Sequence, residues 1–156
     1  MPTVEGSITV HAPLAQVFAA VTDPCRAPEW SPRIVEVSNI SPYPVQEGTS
    51  WRQTAGMGGQ TATMQCRIVK LDPPTTGVLE ISGGDQNGRL ITRCSEVPGG
   101  THVSQTLDFQ VGSGLKGKMM ATVAGPMLQR EMSGALKRLR DTLEQEAGGN
   151  DGSRTA

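Results

Sequence analysis

Lys118 to Glu146 reads KMMATVAGPMLQREMSGALKRLRDTLEQE. Met120, Val123, Met127, Met132, Leu136, Leu139 and Leu143 recur close to the helical period of 3.6 residues. Lys137, Arg138, Arg140, Asp141 and Glu144 fall mostly off that stripe. The spacing predicts one long helix with a methionine-bearing apolar face. Pro126 interrupts the pattern. Either the helix kinks there, or a short first piece ends and the main helix begins near Gly125. Gly148-Gly149 predicts its stop, so a domain over 1–147 is expected, followed by a disordered tail over 148–156.

Everything between the start of the chain and this helix reads differently. Thr3 to Val10 alternates, with Val4, Ile8 and Val10 on one face of a strand. Ala12-Pro13 opens a short helix whose buried face is Val17, Phe18 and Val21. Thr22-Asp-Pro24 breaks it and caps a second short helix reaching about Glu29. Six strand-like runs then follow with no helix among them, over roughly 33–40, 49–55, 60–71, 77–82, 89–97 and 101–111. Short turns rich in glycine and proline separate them and imply antiparallel neighbours. Grouped strands with a segregated helix predict an α+β fold: a curved seven-stranded antiparallel sheet, two short N-terminal helices and one long C-terminal helix across the concave side.

Composition narrows the function. Fourteen Lys plus Arg stand against fifteen Asp plus Glu. That balance offers no basic excess for phosphates, so nucleic acid is not an expected partner. No apolar run reaches the ~18 residues of a membrane span, so stable membrane insertion is not expected. The first residues show neither a basic segment nor an apolar signal core, and a cytoplasmic protein is expected. Cys25, Cys66 and Cys94 are odd in number and widely spaced, and with only His11 and His102 to assist they make no metal site. No metal or other cofactor is expected.

A sheet gripping a single helix has few side chains with which to fill its interior. Aromatics are scarce here: Phe18, Trp30, Tyr43, Trp51 and Phe109. A cavity walled by aliphatic and thioether groups is therefore expected. Strand parity and the helix stripe nominate its walls: Phe18, Trp30, Trp51, Gln53, Met64, Cys66, Leu79, Ile81, Thr92, Cys94, Gln105, Leu107, Met120, Val123, Met127 and Met132. The competing reading is plain packing. Methionines fill core gaps and buried cysteines act as small hydrophobes. Inward glutamines can be satisfied by protein or water as well as by ligand. Glu131 lies one position off the stripe: one reading turns it to the cavity mouth as an acid or base, the other leaves it solvated, the ordinary outcome for a helix-surface glutamate. Gly112-Ser-Gly-Leu-Lys-Gly117-Lys118 resembles a phosphate loop, but Met119 stands where the metal-binding hydroxyl belongs. No catalytic constellation can be assigned from the residues.

Several short motifs point to one family. They are Ile8-Thr-Val-His-Ala-Pro13, Val17-Phe18, Thr22-Asp-Pro24 and Pro28-Glu-Trp30-Ser-Pro32, then Gly48-Thr49 followed by Trp51. Leu71-Asp-Pro-Pro74, Gly100-Thr101 and Leu136-Lys-Arg-Leu139 continue the match. Over roughly 3–146 the chain resembles the START-like (helix-grip, SRPBCC) superfamily, and within it the polyketide cyclase/dehydrase and lipid-transport family. The resemblance implies a helix-grip fold and a small hydrophobic ligand, lipid-like or polyketide-like, held between sheet and C-terminal helix. It also implies two alternatives: a polyketide aromatase/cyclase, or a protein-interaction module using the outer sheet face. An exposed sheet edge could support a homodimer.

Overall fold

The computed structural model describes residues 3–57, 59–83, 86–111 and 114–155; the side chains of a few of these, Met120 and those beyond 147 among them, lie outside the described set. In chain order the elements are β1 (Thr3–Val10), α1 (Leu14–Val21), α2 (Ala27–Trp30), β2 (Ile34–Ser41), β3 (Ser50–Met57), β4 (Gln60–Asp72), β5 (Thr76–Gly83), β6 (Gln86–Val97), β7 (Gly100–Val111) and α3 (Gly114–Thr155). The strands form one seven-stranded sheet in the order β1-β7-β6-β5-β4-β3-β2. Every neighbouring pair is antiparallel. Chain order and sheet order agree except that β1 returns to pair with β7, because α1 and α2 carry the chain across the sheet before β2 starts. This is the helix-grip architecture.

Period-two alternation selects the inner face. On β7, Thr101, Val103 and Phe109 are buried, with Gln105 and Leu107 between them in the same row. Ladder irregularities between Ile34 and Glu36, between Ser38 and Ser41, and between Ile68 and Lys70 bend the sheet. Gly83 to Gly88 reads as a turn in sequence, yet β5 continues through Gly83 and β6 begins at Gln86. Cross-strand pairing of Ile81 with Gly88 and Gly83 with Gln86 extends the ladder over residues of poor strand propensity.

Helix α3 is continuous through Pro126, which settles the alternative of two separate pieces. It begins earlier than the stripe suggests, and its helical backbone continues past Gly148-Gly149, where the sequence predicts a stop. It packs closely on β1, β7 and α2. Glycine decides how closely. A Cβ on Gly6 of β1 would stand 3.1 Å from Leu136 Cδ1 and 3.2 Å from Met132 Cγ and Sδ. A larger residue would wedge the helix away from the strand. Gln129 adds a stitch: its Oε1 accepts from the Glu5 backbone N–H at 3.2 Å and its Nε2 donates to the Glu5 carbonyl. The His11 N–H donates to Glu144 Oε2 at 2.8 Å, holding the same strand near its other end.

The apolar interior is divided. The larger cluster joins Val4, Val10, Val17, Phe18, Trp30, Cys94, Val103 and Phe109 to Met132, Leu136, Leu139 and Leu143 of α3. A smaller one holds Trp51, Cys66 and Ile68 on β3 and β4. Leu71 packs against both. Because α3 is seated on the β1–β7 side, the inner face of β3, β4 and β5 is left facing open space.

Candidate functional site

That space is a hollow of about 800 Å³. Its floor is the inner face of β3 to β7: Trp51, Gln53, Met64, Ile68, Leu79, Ile81, Leu90, Thr92, Gln105 and Leu107. Its roof is the row Met119, Val123, Met127, Glu131 and Ala135 of α3, with Ala124, Leu128 and Met132 alongside. These roof positions are four apart, so successive side chains stack on one helix face. One wall comes from the α1–α2 segment, with Thr22, Asp23, Ala27 and Trp30, and from Arg33 and Ile34 at the start of β2. The surface is mostly aliphatic, as the scarcity of aromatic residues requires.

The roof changes character along its length. Met132 is buried, whereas Met127 is 38% and Val123 76% exposed although both line the hollow. Side chains that line a space while remaining open to solvent mark its mouth. The stripe therefore serves two purposes. Its C-terminal half packs into the core, and its N-terminal half borders an opening.

Most of the sequence-nominated residues come together here: Trp30, Trp51, Gln53, Met64, Leu79, Ile81, Thr92, Gln105, Leu107, Val123, Met127 and Met132 all line the hollow. Three nominees sit elsewhere. Phe18 and Cys94 belong to the larger core cluster, and Cys66 is enclosed with Trp51 and Ile68. Strand parity places the cysteines inward correctly, but an inward face is filled in one place and empty in another, and parity does not distinguish them. Met120 lies outside the residues whose side chains are described, as do Lys116 and Lys118 of the glycine-rich segment.

Polar groups on the floor partly satisfy one another. Trp51 Nε1 donates to Gln53 Oε1 at 3.4 Å. Gln105 Nε2 donates to Thr92 Oγ1 at 3.1 Å across the β6–β7 ladder. At the rim, Arg33 Nη1 donates to Glu131 Oε2 at 2.7 Å and Arg33 Nε donates to the Gly56 carbonyl at 3.0 Å. This pair ties α3 to the β2–β3 end of the sheet over the hollow. Sequence reasoning missed it. Glu131 is four residues beyond Met127, which is the signal that places it on the lining row, but nothing local announces a partner 98 positions away.

The chemistry available is limited. Burial pushes the Cys66 thiol up to about 12 and the Cys94 thiol up to about 11, so neither is a thiolate nucleophile near neutral pH. His11 and His102 are not among the lining residues. Among the described residues, no group of three or more His, Cys, Asp or Glu side chains could hold a metal ion. Likewise, no helix is long and apolar enough to cross a membrane.

The sequence matches the family described as polyketide cyclase/dehydrase and lipid transport over residues 1–144. The chain belongs to that family. It is a member of the START-like SRPBCC superfamily, as the sequence motifs imply. Among solved structures, the Zhui aromatase/cyclase of Streptomyces sp. R1128 is similar, with a TM-score of 0.79, 17% identity, and coverage of 93% of this chain and 94% of that one. The protein TTHA0849 of Thermus thermophilus gives a TM-score of 0.77 at 16% identity, covering 91% of this chain and 97% of the other. The di-domain aromatase/cyclase StfQ of the steffimycin biosynthetic pathway gives 0.75 at 13% identity, with 94% of this chain and 51% of that one covered. At these identities the likenesses establish the fold. No curated protein matches the sequence.

Proposed function

We propose that this chain is a binding protein that takes a small, mainly apolar molecule, lipid-like or polyketide-like, into the hollow between its sheet and α3. One observation carries the reading: among the described residues the two apolar clusters share Leu71 alone, and about 800 Å³ bounded by side chains such as Met64, Leu79, Leu107 and Met127 is left open beside it. That volume is in the range of small-molecule sites. An apolar guest removes both its own surface and the wall from water, at roughly 25 cal/mol for each Å² covered. It also supplies the dispersion contacts that an unfilled wall lacks.

Binding is favoured over catalysis by the distribution of ionisable groups. Proton transfer requires a donor or acceptor within hydrogen-bond reach of the reacting atom. Among the described lining residues the ionisable groups are Asp23, Arg33 and Glu131. Arg33 and Glu131 hold each other, and Asp23 accepts from the Cys25 N–H and the Tyr43 hydroxyl. The inner floor offers amides and a hydroxyl, which orient a guest and do not shuttle protons at neutral pH. A family whose description includes both cyclases and lipid transport accommodates this reading.

Native mass spectrometry of the purified protein tests it. The expected result is a mass excess that organic extraction removes and that returns when the extract is added back. A bare polypeptide mass, together with no uptake of any apolar fluorescent probe, would overturn the reading.

A further inference from the structure

The inner floor carries an unfinished hydrogen-bond pair. Thr92 on β6 stands opposite Gln105 on β7, and both line the hollow. Thr92 is 5% exposed, and its oxygen accepts from Gln105 Nε2. A threonine hydroxyl has one proton to donate besides its lone pairs, and a glutamine carbonyl oxygen can accept two hydrogen bonds. Among the described residues, the Thr92 proton has no acceptor and Gln105 Oε1 has no donor. A spare donor and a spare acceptor therefore lie side by side, with the Leu90–Leu107 pair two residues away on the same face of the ladder. Neither atom is a buried orphan while the hollow is open, since Gln105 is only half-buried; a guest that covers the pair without bonding to it leaves both groups desolvated, so whatever fills the hollow is selected by how it completes them.

We infer that Thr92 and Gln105 form a hydroxyl-reading station, and that the preferred guest is an apolar molecule bearing an alcohol or phenol at its inner end. The inference deepens the proposed function and rests on the hollow being the binding site. A hydroxyl oxygen accepts from Thr92 while its own proton goes to Gln105 Oε1, so one group completes both partners. An ether or ketone completes Thr92 alone. A methyl group completes neither and leaves both desolvated. Thr92 and Gln105 act as specificity-determining residues; no chemical step is assigned to them.

A matched pair of probes tests this: 2-naphthol and 2-methylnaphthalene, which differ by a hydroxyl in place of a methyl. Binding is read by fluorescence titration on the wild-type chain and on Thr92→Val and Gln105→Met, each checked for the wild-type circular dichroism spectrum. Two neutral hydrogen bonds predict that the wild-type chain prefers 2-naphthol by about tenfold. Thr92→Val, which keeps the branched shape, and Gln105→Met, which keeps an unbranched chain, should each erase or invert that preference. If both probes bind the wild-type chain equally, or if the preference survives both substitutions, the station is refuted while the hollow remains a binding site. If neither probe binds the wild-type chain, the station is refuted as well, and the proposed function falls with it only when native mass spectrometry also shows a bare polypeptide and no other apolar probe is taken up. Equal binding of the two probes by the wild-type chain refutes the station even if a variant does not fold.

Discussion

Truncating α3 at two positions separates its structural half from its lining half. Leu139 is 1% exposed and belongs to the larger core cluster, which also holds residues of β1, β7, α1 and α2. Leu139→Ala removes buried methyl and methylene groups and leaves a cavity that close packing cannot fully collapse. The expected cost is about 2–5 kcal/mol. Met127 is 38% exposed and borders open space, so Met127→Ala strips few packed contacts; its expected cost is below about 1 kcal/mol. With a urea slope of roughly 2 kcal/mol/M, a loss of about 3 kcal/mol moves the unfolding midpoint down by about 1.5 M for Leu139→Ala. The corresponding shift for Met127→Ala is below about 0.5 M. Urea titrations followed by the helical circular dichroism signal read both. Equal shifts for the two variants, or a larger one for Met127→Ala, would refute the division of the helix into a packed half and a bordering half.

Three further outcomes follow from particular contacts. Gly6→Val should destabilise by about 1–3 kcal/mol by forcing Met132 and Leu136 away from β1, visible as a drop of several degrees in Tm; an unchanged Tm would mean that α3 is not seated where Gly6 meets it. Glu131→Gln leaves Arg33 without its ion pair at a half-exposed rim, so stability should fall by no more than about 1 kcal/mol while guest release accelerates in a stopped-flow displacement assay; an unaltered release rate would remove the pair from the opening. Buried Cys66 and Cys94 thiols, raised to about 12 and about 11, stay protonated at pH values where unfolded thiols ionise, from about 8.5 upward. The unfolded chain then binds fewer protons, so stability falls as pH rises through that window, by up to about 1.4 kcal/mol per pH unit for each thiol. A Cys66→Ala/Cys94→Ala chain should show a shallower alkaline decline, and Ellman's reagent should react with exposed Cys25 first in the native protein.

The sequence made the architecture legible because its periods are clean. Alternation on β4 and β7 and the stripe on α3 each fix which face turns inward, and turns rich in glycine and proline fix the neighbours. Most of the nominated residues reach the hollow on parity and spacing alone. Phe18, Cys66 and Cys94 show where that logic stops: facing inward is a property of one strand or helix, whereas facing a void depends on where a distant element is seated. Here Gly6 and Gln129 set that seat, and neither carries an apolar signal. Met119 escapes a stripe that starts at Met120, although it lies four residues before Val123 on the same helix row. The Arg33–Glu131 pair and the donor–acceptor station of Thr92 and Gln105 exist only after folding, since each joins residues from separate elements.

Amide chemical-shift mapping with 2-naphthol addresses the location of the guest most directly. The hollow predicts saturable shifts on the inner residues Leu79, Ile81, Leu90 and Leu107 and on α3 from Val123 to Ala135, with Arg52, Glu80 and Arg89 on the exposed face unmoved. Shifts confined to that exposed face, or no saturable shifts at all, would contradict a binding site between sheet and helix.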